Sequence, residues 1–417
     1  MLRLKAKGAA VQNNPNTTLV TPTAPIANET HGGRAKCLQR LVRLDLPVPR
    51  TIALSFDAVK KIAQGRMPDI DAIVAQIPEG ALMCVRPSSQ DPDWGGPGAV
   101  LNIGINNDRF EKLAETMGDD AAAALYTRFV QSYAINVARL DPDMFDDVTG
   151  DGRSALAQSL HAYEVETEEQ FPQDTSVQLT AVLRSMARAW DGTSARLLRQ
   201  AKGAPADAGL GLVVQHMAFG VGAGQCGSGV LQLVDSDTGL RQITGRYLSQ
   251  SQGRDALEGD AGSLYLGKDP RGPSLEELAP EAFAELTAYA ALMRVKLRAE
   301  MQVEFVIQDG TLHILDGVRV ARSSRAAVRI AVALADDGII SREEALMRVQ
   351  PRTLTELLHR QIDPRAKRDV IGRGIAASPG AATGKMVFSP SEAQAYDSRG
   401  EACILIRRET SPEDIRG

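Results

Sequence analysis

Residues 303–316 read VEFVIQDGTLHILD. Val303, Phe305 and Ile307 alternate with other side chains, Asp309-Gly310 follows, and Leu312 and Ile314 resume the alternation. A period of two marks a half-buried strand. Asp-Gly between two such runs is the strongest short-range hairpin signal, because both turn residues must take positive φ. A hairpin is therefore predicted, and its register has chemical consequences. A two-residue Asp309-Gly310 turn pairs Val303 with Asp316 and sends Asp316 to the face opposite Glu304. A three-residue loop with Gly310 left-handed pairs Gln302 with Asp316, and Glu304 then lies diagonal to Asp316 on one face. The apolar pattern prefers the first register. Two carboxylates converging on one Mg²⁺ require the second, or a bulge.

Outward from the hairpin, the periodicity changes several times. A long helix is predicted over Leu275 to Glu300, and strands over 210–248, in GLVVQHMAF, SGVLQLVDS and GLRQITGRYL. Residues 108–203 read almost wholly helical, and 323–370 are helical again before a Gly-rich, β-containing segment over 371–417. Near the N-terminus, His31-Gly32-Gly33 precedes an amphipathic helix with Leu38, Leu41, Val42 and Leu44 on its apolar side, stopped by Pro47 and Pro49. A strand at Thr51 to Leu54, a helix near Phe56–Gln64 and a buried strand at Ala81 to Val85 follow. The first thirty residues, rich in Asn, Thr and Pro, predict an extended arm or disordered tail. Strands, a helical insertion, more strands and a long helix make an α+β arrangement. Charged, glycine-punctuated DPRAKRDVIGRG (363–374) marks the clearest boundary.

Composition excludes several functions. At 417 residues and 43% hydrophobic side chains the chain can bury sizeable cores, and its net charge of −5 shows no basic excess for nucleic acid or anionic membranes. Cys37, Cys84, Cys226 and Cys403 lie far apart without a CxxC, so neither a disulfide framework nor a zinc finger is suggested. The longest apolar stretch, 326–335, contains Arg329 and falls short of the ~18 residues of a membrane span. No apolar segment follows the basic N-terminal residues, so a cytoplasmic location is expected.

The usual nucleophile and nucleotide strings (GxSxG, HExxH, Walker A, a strand-linked GxGxxG) are missing. The glycine-rich FGVGAGQCGSGV (Phe219 to Val230) could cradle phosphate oxygens with backbone N–H groups, or be a plain hairpin loop. Arg86 ends an apolar strand, where a guanidinium can recognise phosphate bidentately or form an ion pair. His216 and His313 each lie alone in a β run and read as structural.

Taken in order, these segments resemble the nucleotide-binding half of the pyruvate phosphate dikinase family, with the start of its phosphohistidine domain. The resemblance covers roughly 31–417 and rests on GGRAKCLQRLVRLDLPVPRTIAL, LMCVRPSSQ with LNIGINND, YTRFVQSYA, VVQHMAFG, EFVIQDGTLHIL with AVALADDGIISREEALMRVQPRTLTELLH, and GIAASPGAATGKMVFSPSEA with ETSPEDI. It implies an ATP-grasp domain in two parts, 31–110 and 206–322, separated by a helical subdomain, 111–205. A flexible arm (1–30), a helical linker (323–370) and the truncated start of a swivelling β/β/α phosphohistidine domain (371–417) complete the expected organisation. By the resemblance, the histidine-bearing string of that domain is expected beyond Gly417.

The resemblance assigns phosphate-binding, catalytic roles to Arg34, which stands for a family Lys, and to Arg86. It assigns nucleotide binding to Arg34, Arg86, Gln215, Met217, Gly227, Ser228, Gly229, Gln302 and Glu304, with ATP and Mg²⁺ as cofactors. Other positions depart from the family pattern. Gln90 and Val318 replace arginines, Val234 replaces the Arg of a TRNP string, and Arg246 and Arg254 stand in place of acidic residues. In the hairpin, the family's Asp-x-Glu is Gln302-x-Glu304, and its downstream Gln is Asp316. The last exchange restores two carboxylates, so Glu304 and Asp316 are the expected metal pair and a bulged register is favoured. Two functions follow: a phosphotransferase part that passes phosphoryl from Mg·ATP to a histidine of its phosphohistidine partner domain, or a degenerate homologue serving as a nucleotide- or protein-binding regulatory module. A homo-oligomer is compatible with both; nucleic acid and membrane are not expected partners.

Overall fold

The computed structural model describes residues 16–91, 94–252, 262–359, 362–363, 366–372 and 380–407. It is an α+β protein whose chain divides into two compact units, one of 1–235 and 241–320 and one of 236–240 and 321–417. That division falls at 320/321, upstream of the boundary expected near Asp363.

The first unit holds two antiparallel sheets. Strands β1 (Thr17–Leu19), β2 (Thr51–Leu54), β3 (Met83–Ser89), β4 (Val100–Ile103) and β5 (Leu210–His216) form one, in the order β1-β2-β5-β3-β4. Strands β6 (Gly227–Val234), β7 (Arg241–Ser249), β8 (Met301–Gln308) and β9 (Thr311–Arg319) form the other, in the order β7-β6-β8-β9. Successive strand side chains point to opposite faces, and the five-stranded sheet uses both. Ile52, Leu54, Val85, Leu212 and Val214 join a core with the helices between 107 and 191. Ala53 and Val213, between them in sequence, join a second core with helix Asn28–Arg43, helix Pro280–Leu297 and the inner face of β8–β9. Helices within 111–191 thus share a core with the sheet.

Most predicted elements are present, with ends set by local chemistry. Ser55 caps helix Phe56–Ala63 by accepting from Ala58 N–H, and Asn106 and Asp174 cap helices Asn107–Met117 and Thr175–Asp191 in the same way. The expected arm needs correction from Thr17 onward: β1 pairs with β2, and Val20, Ala24 and Ile26 are buried. Apolar side chains spaced among the Asn, Thr and Pro residues carry that packing. Residues 1–15 lie outside the described residues.

The second unit contains helices Ser324–Asp336, Arg342–Arg348 and Pro351–Leu358, a parallel pair β10 (Lys385–Val387) and β11 (Cys403–Leu405), and helix Pro390–Asp397. Segment 236–240 belongs to it because Arg329 donates to the Thr238 carbonyl at 2.6 Å and Ser323 to that of Asp237 at 2.6 Å. The linker expected to be helical to 370 is helical only to Leu358 among the described residues. Among the described residues no helix is long and apolar enough to cross a membrane.

Candidate functional site

The hairpin β8–β9 reconciles two opposed expectations. Gln308 pairs with Thr311 around a two-residue turn in which Asp309 and Gly310 have φ of 48° and 78°. The register from that turn holds as far as Phe305↔Ile314 and then shifts, pairing Glu304 directly with Asp316. Leu315 is the extra residue of a β-bulge. The apolar face asked for the tight turn, and Val303, Phe305, Ile307, Leu312 and Ile314 are all buried. Because the shift comes after Ile314, that face survives while the two carboxylates meet on the other.

Two guanidinium groups arrive at the same place. Arg86 lies on β3 opposite Val213, on the face away from Val85. Its Nη2 donates to Glu304 Oε2 and stands 3.7 Å from Asp316 Oδ2, while Nη1 donates at 3.1 Å to the carbonyl of the bulged Leu315. The bulge therefore releases the backbone acceptor that seats Arg86. Arg34 sits just past a break in its helix at Gly32, whose φ is 84°. A Cβ on Gly32 would lie 1.8 Å from the Ser88 carbonyl oxygen, so glycine is what lets the helix start touch the end of β3. Ser88 Oγ secures the contact by donating to His31 O at 2.7 Å and accepting from Ala35 N at 3.0 Å. Arg34 then donates through Nη1 to Pro87 O and through Nε to Asp316 Oδ2 at 2.5 Å.

The result is a quartet of two arginines and two carboxylates with no net formal charge. Asp316 is fully buried, and the side chains of Glu304, Arg86 and Arg34 are 13%, 11% and 21% exposed. Burial pushes the Asp316 carboxyl upward, yet Arg34 and Arg86 outweigh it and hold the pKa below the usual aspartate value. Burial opposes the charge on Arg86, and Glu304 and Asp316 reverse that, raising its pKa. Cys37 borders the quartet with its thiol donating to Gly317 O at 2.8 Å; burial, then Asp316, pushes it up to about 12, so it remains a neutral thiol.

The other expected residues are more dispersed in role. Gln302 shares the Glu304 face, and its side-chain oxygen accepts from Gln232 at 2.6 Å. Arg246 lies in the same cross-strand row as Glu304, through Val230. Arg254 lies outside the described residues. Gln215 is buried and donates to Thr51 Oγ1 at 2.8 Å, and Met217 is buried with its N–H on Leu82 O. Gly227, Ser228 and Gly229 are engaged by the second sheet. They are residues of β6, paired on both sides with β7 and β8, and the Ser228 hydroxyl donates to Ser251 O at 2.7 Å. The close-packed glycines serve the sheet, since a Cβ on Gly227 would meet Tyr247 Oη at 2.3 Å and one on Gly229 the Arg246 carbonyl oxygen at 2.3 Å.

The expected metal pair is brought together, with its oxygens already engaged. Glu304 and Asp316 do face one another, but Asp316 Oδ2 is taken by Arg34, Oδ1 accepts Gly317 N–H at 2.8 Å, and the group is buried. Mg²⁺ needs several oxygens at near-octahedral angles and retains waters, which a buried carboxylate with both oxygens engaged does not offer. Among the described residues no cluster of three or more His, Cys, Asp or Glu side chains supplies another seat. The carbonyls of Pro87 and Leu315, which fix the two guanidiniums, could not be foreseen, because every residue carries a carbonyl. A cavity of about 240 Å³ beside Pro78, Met83, Arg109 and Thr175 contains none of the expected residues.

No family model matches the chain. It is 34% identical over 432 residues to the pyruvate, phosphate dikinase of Rhizobium meliloti (strain 1021), covering 93% of this chain and 48% of that protein. It is 30% identical over 425 residues to the pyruvate, phosphate dikinase of Clostridium symbiosum, again covering 93% and 48%. Pyruvate, phosphate dikinase 2 of Oryza sativa subsp. japonica is 29% identical over 422 residues, covering 93% of this chain and 47% of that protein. The chain spans about half the length of the curated relatives it matches.

Proposed function

This chain belongs to the pyruvate, phosphate dikinase family, and we propose that it is an ATP-grasp-type nucleotide-binding part, one that binds ATP and hands phosphoryl to a histidine of a phosphohistidine domain. Such a reaction asks little covalent chemistry of the nucleotide site. Its work is to hold the polyphosphate in line and to offset the charge that develops on it. Arg34 and Arg86 are the groups suited to that, being permanently charged planar donors matched to phosphate oxygens.

The observation that supports the reading is the convergence of these two guanidiniums on one oxygen. Asp316 Oδ2 lies 2.5 Å from Arg34 Nε and 3.7 Å from Arg86 Nη2. An oxygen of a bound phosphate at that point would meet both. Gln302, Arg246 and Glu304 line the adjoining face of the second sheet and would contact the rest of the ligand. Because a shared Mg²⁺ seat on Glu304 and Asp316 does not fit, no step is assigned to a metal held between them.

Thermal unfolding tests the reading. ATP with Mg²⁺ at 100 times its Kd should stabilise the protein by ~2.7 kcal/mol through linkage. No shift with ATP, ADP or GTP would sink it. One observation favours the second reading, a homologue retained as a binding module: both arginines are already neutralised by carboxylates of the chain itself.

A further inference from the structure

We propose that Asp316 is a built-in occupant of the anion site, a carboxylate that holds the place of a phosphate between Arg34 and Arg86 and so sets how tightly a polyphosphate can bind. This rests on the nucleotide-site reading above. Three observations carry it. The carboxylate is fully buried and accepts a hydrogen bond from the charged Arg34 guanidinium. The same oxygen lies 3.7 Å from Arg86 Nη2, so one atom stands within ion-pair distance of both cations. The quartet sums to zero formal charge, so an incoming polyanion meets no unbalanced positive charge.

The position of Asp316 is built, not incidental. The bulge at Leu315 turns its side chain to the Glu304 face, and its other oxygen is fixed by Gly317 N–H. Polyphosphate and Asp316 therefore compete for the Arg34 donor and for the positive charge of Arg86. To bind, the ligand must take Arg34 from a buried carboxylate that stays behind as a like charge. Replacing the carboxylate by an amide keeps a hydrogen-bond acceptor for Arg34 and leaves one positive charge unbalanced.

The metal reading of Asp316 predicts the opposite sign, which makes the test decisive. Calorimetric titration would compare the protein with Asp316→Asn and, should that variant fold poorly, Asp316→Gln, each checked by circular dichroism. The probes are tripolyphosphate without metal, and ATP with Mg²⁺. The expected result is binding at least tenfold tighter in the variant, for tripolyphosphate as well as for Mg·ATP. Affinity that is unchanged or weaker in a folded variant overturns the proposal, and weakening confined to the Mg²⁺ titration would mark Asp316 as a metal ligand. The two failures are distinguishable. Tight binding by the unaltered protein that is lost in the variant removes this inference and spares the nucleotide site, whereas binding that appears only in the variant supports the inference and removes nucleotide binding as the function of the chain as it stands. Absence of binding in every form overturns both.

Discussion

Two arginine–carboxylate clusters in this protein differ in almost everything except their chemistry. Arg153, on helix Gly152–Thr167, makes paired hydrogen bonds to Glu111 at 2.9 Å and to Asp119 at 2.8 and 2.9 Å. All three side chains are about half exposed, and 42 residues at most separate the partners. Arg34, Arg86, Glu304 and Asp316 are enclosed and join residues up to 282 apart. By hydrogen-bond geometry the surface cluster is the better formed. Water and salt discount it, because exposed pairs trade solvation for contact at little gain. In the interior the same charges cannot be separated without leaving one unpaired in a poorly solvated place. Geometry alone is a poor guide to which cluster matters.

The contrast can be broken at its strong end first. Arg86→Gln leaves Glu304 and Asp316 facing one another without their shared cation, and should destabilise the protein by about 3–5 kcal/mol; urea unfolding reads this directly, and a change within the scatter of surface substitutions would contradict it. A smaller effect is expected from acid. The Asp316 pKa is depressed in the folded protein, so its contribution is complete above the ordinary aspartate value of ~3.9 and is lost as pH falls through the lower folded-state value. Urea midpoints measured from pH 5 to pH 2 should therefore fall more steeply for the unaltered protein than for Asp316→Asn. Least affected is the surface cluster: Arg153→Gln should leave the thermal midpoint nearly unchanged. In 1 M salt, where the screening length is ~3 Å, even that small difference should vanish, while the effect of Arg86→Gln persists.

Much of the molecule can be read along the chain, for a physical reason. Strand β2 at Thr51–Leu54, the helix after Ser55 and the hairpin turn at Asp309-Gly310 all depend on periodicity, caps and turn chemistry within a few residues. Arg86 stood out for the same reason, as a cation ending an apolar strand. The Gly227–Gly229 segment is ambiguous in sequence because glycine serves two needs with the same residue. It permits backbone approach to an anion, and equally to a neighbouring strand or ring; only the packed neighbours Tyr247 and Phe305 distinguish them. The arm misled because its composition outweighs a few apolar residues that find partners on distant elements.

Residue order by itself determined the antiparallel hairpin, its inward face, the capped helices and a family likeness carried by ordered blocks. These are short-range properties, in which each residue answers to neighbours close in sequence. What only the tertiary structure decided is the bulge at Leu315 and the meeting of Arg34 with Asp316. A one-residue shift reverses the face on which a carboxylate lies, and nothing local at 315 selects it. The selection lies in the buried guanidiniums brought from the first ninety residues, which make Asp316 stable only where it can reach them.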